Sequence, residues 1–106
     1  MNVYNLKDFI NWWFIGNFEP SLFKTDLFEI AVKKYKKWDK ENSHHHKIAT
    51  EYTIFNTWKF KMNNKIFWEW EIVEILPWNS TDFECIEDWS CTVVKIPCIM
   101  WDKYID

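Results

Sequence analysis

Residues 38–58 read WDKENSHHHKIATEYTIFNTW, and this stretch decides how the rest of the chain is understood. His44 and His46 stand two apart, and Glu51 follows five residues after His46. In an extended strand residues i and i+2 share a face, so both imidazoles look one way and His45 the other. A carboxylate from the same or the next strand completes a set of two His and one Glu. Neutral imidazole plus carboxylate suits several divalent first-row metals, so spacing does not choose among iron, manganese, nickel and zinc. The plain alternative is a His-rich surface turn that attracts metal.

Working outward, 106 residues make one domain with a single core. The net charge is -3 and the chain has no Arg, which argues against a nucleic-acid surface. Cys85, Cys91 and Cys98 form an odd set without a CxxC pair. That suits reduced thiols in a cytoplasmic protein better than a disulfide framework. The apolar run FINWWFI near the start is too short to span a membrane and carries no cleavage-site pattern. The expectation is a soluble cytoplasmic domain that takes a small molecule and binds neither nucleic acid nor membrane.

Residues 1–20 hold a short helical candidate, NLKDFINWWFI, with Asn5 as N-cap, Gly16 just past its end and Pro20 closing it off. DLFEIAVKKYKKW is ambiguous: Phe28, Ile30 and Val32 alternate with Glu29, Ala31 and Lys33, yet Leu27, Ile30, Ala31 and Lys34 also fit a helix. The lysine-rich run from Lys33 to Lys40 suits a solvated strand end and turn. From Lys47 the chain reads as strands: KIATEYTIF, WKFKM, KIFW, EIVEIL, TDFECI and CTVVKIP, with Asn63-Asn64 placed for a hairpin turn. Short strands at this spacing, with no long amphipathic helix among them, predict an all-β sandwich or barrel.

The histidine stretch now resembles a family. The first cupin motif is G-x5-H-x-H-x4-E-x6-G, and Trp38, His44, His46, Glu51 and Trp58 stand at that spacing, with Trp at both Gly positions. The second motif, G-x5-P-x-G-x2-H-x3-N, is outlined by Trp70, Trp78 and Thr81, with the proline one place late as Pro77. GNFEPS, HKIATEYT, MNNKIF, STDFE and the closing DKY also carry the likeness, from about residue 17 to 104. The chain resembles a small single-domain bacterial cupin.

That resemblance implies a double-stranded β-helix, or jelly roll, over about residues 21–104, after an N-terminal extension over 1–20. It makes residues 26–37 strand. It implies a divalent metal in the barrel mouth, held by His44, His46 and Glu51. The family's fourth ligand, a histidine, falls on Thr81, whose hydroxyl is a poor ligand. Alternation from Thr81 points Thr81, Phe83 and Cys85 into the pocket and Asp82 outward. Cys85 then reads as a core thiol, Phe60, Phe67 and Phe83 as core, and His45 as a solvent-facing neighbour. A homodimer through the sheets is a further expectation of the resemblance. The implied function is either a metal-dependent enzyme of oxygenase, isomerase or lyase type on a small polar substrate, or a non-catalytic ligand-binding module. A third reading, a structural or interaction protein, uses the barrel exterior.

One feature of composition is abnormal. The chain has nine Trp and one Gly, where globular chains average about 7% Gly. Trp12, Trp38, Trp58, Trp68, Trp70, Trp78, Trp89 and Trp101 fall where such proteins have Gly or where a turn would demand it. A non-Gly residue in the left-handed region costs about 1–2 kcal/mol. UGA is read as Trp in some genetic codes and as Gly in others. The lack of Arg and Gln and the wealth of Lys, Asn and Ile fit a strongly AT-biased genome. The alternative is a Trp-rich relative with adapted turns.

Overall fold

The computed structural model describes the whole chain except Trp58, Glu87, Asp88 and the side chain of Trp89. Trp58, one of the motif positions above, therefore lies outside the described residues. The strands are β1 (Trp13–Ile15), β2 (Glu29–Tyr35), β3 (Lys40–His45), β4 (Thr50–Phe55), β5 (Lys59–Met62), β6 (Lys65–Trp68), β7 (Ile72–Ile75), β8 (Thr81–Glu84), β9 (Trp89–Ile96) and β10 (Tyr104–Ile105). They form two five-stranded sheets, in the orders β1-β2-β9-β4-β7 and β10-β3-β8-β5-β6. Every strand pair among the described residues is antiparallel. The all-β jelly-roll expectation holds, and the ambiguous 26–37 run resolves as β2. Among the described residues no helix is long and apolar enough to cross a membrane.

The N-terminal helix is shorter than its sequence suggests. Two 3-10 turns, Leu6–Asp8 and Ile10–Trp12, replace it, and Asn5 caps the first by accepting from the Lys7 N–H at 2.9 Å. Asn11 and Trp12 then take φ of 50° and 65°, which no α-helix continues. Trp13–Ile15 leaves as a strand and pairs with β2, so the first sheet begins inside the stretch read as an extension.

The inner face of the first sheet carries the polar phase of its alternation. On β2 the inward set is Glu29, Ala31, Lys33 and Tyr35; register places Glu29 opposite Lys95, and Lys95 opposite Glu51 on β4. The next inward row runs Ala31, Val93, Thr53, and the next Lys33, Cys91, Phe55. Ile30, Val32, Ile54 and Val94 fall on the outer face, only half-buried. Because strand side chains repeat every second residue, a one-residue change of phase moves the whole apolar set. The interior thus grades from charged at one end to aromatic at the other. At the aromatic end Phe55 and Phe60 are wholly buried with ring centroids 3.9 Å apart, and Phe67 and Phe83 pack against them, all as core. Cys85 is fully buried in this cluster as a core thiol.

Three tryptophans share one unfavourable backbone position. Lys36–Asp39, Trp68–Glu71 and Leu76–Asn79 are four-residue turns closed by i+3 to i hydrogen bonds of 3.0, 3.1 and 3.1 Å. Their third residues, Trp38, Trp70 and Trp78, have φ of 76°, 71° and 71°. This is the type II turn, whose third position favours Gly, and Pro77 before Trp78 completes the Pro-Gly pattern. The indoles are 65%, 69% and 64% exposed, so packing does little to offset about 1–2 kcal/mol of strain at each turn. Trp12 is also left-handed, whereas Trp68 and Trp89 lie in strands and Trp101 in a turn without positive φ. At Asn63-Asn64 both φ values are positive, 48° and 65°, giving the expected hairpin between β5 and β6.

Candidate metal centre at the barrel mouth

β3 brings the histidines to the interior by way of a bulge. Its pairing with β8 shifts between Glu41, opposite Phe83, and His44, opposite Thr81. Three steps on one strand match two on the other, so Glu41 and His44 both face inward although they are three apart. His44 is 8% exposed and His46 4%, and their rings meet edge to face with centroids 5.6 Å apart.

Both imidazoles are oriented by backbone carbonyls. His44 Nδ1 lies 3.0 Å from the Asn42 carbonyl oxygen, and His46 Nδ1 bonds to the Asp102 carbonyl oxygen. A carbonyl oxygen only accepts, so each Nδ1 is the donor and each Nε2 is turned the other way, the orientation that such carbonyls give a metal-binding His. His46 Nε2 is buried, accepts no hydrogen bond, and lies 3.6 Å from Glu51 Oε1. The other Glu51 oxygen accepts from the Thr53 hydroxyl at 2.8 Å. Burial raises the Glu51 pKa, but the His46 contact, the Lys95 charge and the Thr53 bond outweigh it and hold the carboxyl below its usual range. Two imidazole nitrogens and an ionised carboxylate are the donor set that a divalent first-row ion takes. Among the described residues no three His, Cys, Asp or Glu side chains stand as a group that could hold a metal ion: His46 Nε2 lies 3.6 Å from Glu51 Oε1, and the His44 ring centre is 5.6 Å from that of His46.

Thr81, at the position of the missing fourth ligand, is buried beside His44 in the β3–β8 register. His44, Glu51, Thr81 and Phe83 line a common cavity of about 270 Å³, with Lys33, Lys95 and Lys103. Cys85 does not reach it. Cys91 does, but burial first, then Glu51 and Glu41, push its thiol pKa far up, so it stays protonated. Tyr35 donates to Glu41 Oε1 at 3.3 Å.

The C-terminal tail, which sequence reasoning noticed only as the phrase DKY, clamps the histidine segment. Asp102 is 2% exposed, and its carboxylate accepts the N–H groups of Lys47, Ile48 and Ala49 at 2.9, 3.0 and 2.8 Å. Burial opposes its ionisation, but these three bonds prevail and lower its pKa. His45 departs from expectation: it is half-buried, stacked against Trp78 and Tyr104, with Nδ1 2.6 Å from Asp106 Oδ1. Hydrogen bonds from Ser43, then Ser80 and His45, pull the Asp106 carboxyl down to about 2. The returning tail covers the face that would otherwise leave His45 in water. Lys33, read as part of a solvated run, instead lines the cavity.

No family model matches the chain, and no curated protein sequence matches it. Solved structures do. A Klebsiella pneumoniae protein with a double-stranded β-helix domain superposes with TM-score 0.72 over 98% of this chain and 90% of its own, at 11% identity. The DMSP lyase DddQ of Ruegeria pomeroyi gives 0.73 over 89% of this chain and 49% of that one, at 14% identity. An RmlC-like cupin of Shewanella frigidimarina gives 0.67 over 72% and 71%, at 11% identity. At such identities the likeness is one of fold. With the two antiparallel sheets, it shows that this chain has the cupin-type double-stranded β-helix fold.

Proposed function

We propose that the chain binds a divalent metal ion in the barrel mouth through His44, His46 and Glu51 and acts there on a small polar molecule. The observation that carries this reading is His46 Nε2, a buried nitrogen with no hydrogen-bond partner, facing the half-buried Glu51 carboxylate. A buried polar atom left without a partner is costly, and an ion between the two groups would satisfy both. A bound ion would polarise a ligand oxygen or activate dioxygen. Structural neighbours named as a DMSP lyase and a polyketide cyclase support, by analogy of fold, chemistry on this scaffold. Elemental analysis of purified protein should find metal stoichiometric with the chain, and His44→Ala with His46→Ala should abolish it. Unchanged metal content in the double variant removes the reading. A second reading, a non-catalytic ligand-binding module, draws on Thr81 at the fourth-ligand position. Retained metal and a ligand-dependent rise in Tm, without turnover of any substrate class, would favour it.

We propose further that Trp38, Trp70 and Trp78, with Trp12, stand at codons that the native host reads as glycine. Three exposed indoles at the third position of type II turns support this, since neither burial nor turn chemistry favours Trp there. Intact-mass measurement on protein from the native host decides it. A mass matching nine tryptophans sinks the idea.

A further inference from the structure

The first sheet turns into the cavity a lysine that the metal reading leaves idle. Lys33 lies in register with Cys91, which is itself in register with Phe55, so its side chain rises from the inner face. Lys33 Nζ and Lys95 Nζ each lie 5.1 Å from the centre of the Trp13 ring. Lys95 is matched by Glu29 at 4.0 Å. Among the described residues no carboxylate comes within ion-pairing distance of Lys33. Burial first lowers the Lys33 pKa; Glu41 opposes this, and Lys95 and Lys103 add repulsion. A half-buried ammonium without a counter-charge is destabilising until one arrives.

We propose that the cavity binds a small organic carboxylate, held by the Lys33 ammonium, with its remaining oxygen turned toward His44 and Glu51. The proposal rests on the metal reading through charge. Lys33, Lys95 and Lys103 balance Glu41, Glu51 and the Glu29 that pairs with Lys95, so a divalent ion would leave an excess of positive charge that an anion offsets. At about 270 Å³ the cavity is smaller than the roughly 300–1,000 Å³ of drug-sized sites, which selects a small metabolite. Phosphate would bring a second negative charge, and Lys95 is already engaged by Glu29.

Pyruvate, glycolate and lactate, titrated calorimetrically into the full chain as purified, are the probes, with inorganic phosphate as comparison. At least one carboxylate should bind, and Lys33→Met should weaken it about tenfold or more, the size of one charge-assisted hydrogen bond. Metal content by elemental analysis should not change. Lys33→Arg should retain binding, and Lys33→Gln repeats the test if circular dichroism shows Lys33→Met unfolded. Lys24→Met, at an exposed lysine paired with Glu19, should bind as wild type. No heat from any of the three acids, equal affinity in Lys33→Met, or tighter binding of phosphate each overturns the proposal. Failure of the metal reading shows separately: Lys33-dependent binding in protein that holds no metal leaves this site standing and removes the ligand triad.

Discussion

The two ends of the barrel interior are built from the same strands by different physics. At the closed end Phe55, Phe60, Phe67 and Phe83 pack ring against ring around Cys85, and non-directional burial holds them. At the mouth Glu29, Lys95 and Glu51 line up across β2, β9 and β4, while His44 and His46 approach from the other sheet. There, directed bonds set each orientation: Asn42 and Asp102 carbonyls fix the imidazoles, and the Asp102 carboxylate fixes the segment after them. The lesson is a division of labour. The aromatic end supplies stability that tolerates variation in detail, and the mouth spends some of it to keep polar groups aimed inward.

The largest effect should come from breaking the closed end. Phe60→Ala should cost about 3–5 kcal/mol in chemical denaturation, because it removes a fully buried ring that three other phenylalanines contact. Folded Phe60→Ala protein should keep its metal content. Loss of metal without loss of stability would show that the two ends are not separable.

Asp102→Ala tests the mouth. It strips the acceptor from three N–H groups and should cost about 1–3 kcal/mol or more, since these donors lie in a buried or half-buried segment. The sign with pH follows from the lowered Asp102 pKa. Its contribution is present in full above the unfolded carboxyl pKa and is lost as pH falls through the lower folded value. Urea midpoints measured down the acid range should therefore fall less steeply in Asp102→Asn than in wild type. Parallel acid limbs would mean that the clamp contributes nothing.

The smallest effect lies in the turns. Trp78→Gly should stabilise by about 1–2 kcal/mol in urea denaturation, by relieving a left-handed residue that follows Pro77. Trp68→Gly, in strand β6, should destabilise instead. Equal effects at the two positions would remove the distinction between strained turns and ordinary strands.

Much of the mouth was legible from local spacing. His44 and His46 two apart needed only the strand period to share a face; both are buried, and His46 lies beside Glu51. Lys33 was not legible, because the apolar alternation of β2 suggested that its polar set faces water. The cavity reverses that: an interior lined for chemistry takes the polar phase. Asp102 left no mark in the sequence either. A carboxylate that caps three backbone N–H groups 54 residues before it, at Ile48 and its neighbours, has no local signature. His45 was misjudged for the same reason, since Tyr104 and Asp106 reach it only after the tail returns.

The sequence by itself determined the strand-rich class, the hairpin at Asn63-Asn64, the shared face of His44 and His46 and the turn positions where Trp38, Trp70 and Trp78 sit. These follow from period, propensity and turn chemistry, which act over a few residues. Only the tertiary structure decided which phase of β2 faces in, which lysine enters the cavity, and what fixes His45 and His46. Those outcomes depend on contacts between segments far apart in the chain, and no local pattern encodes a partner that arrives from the other end.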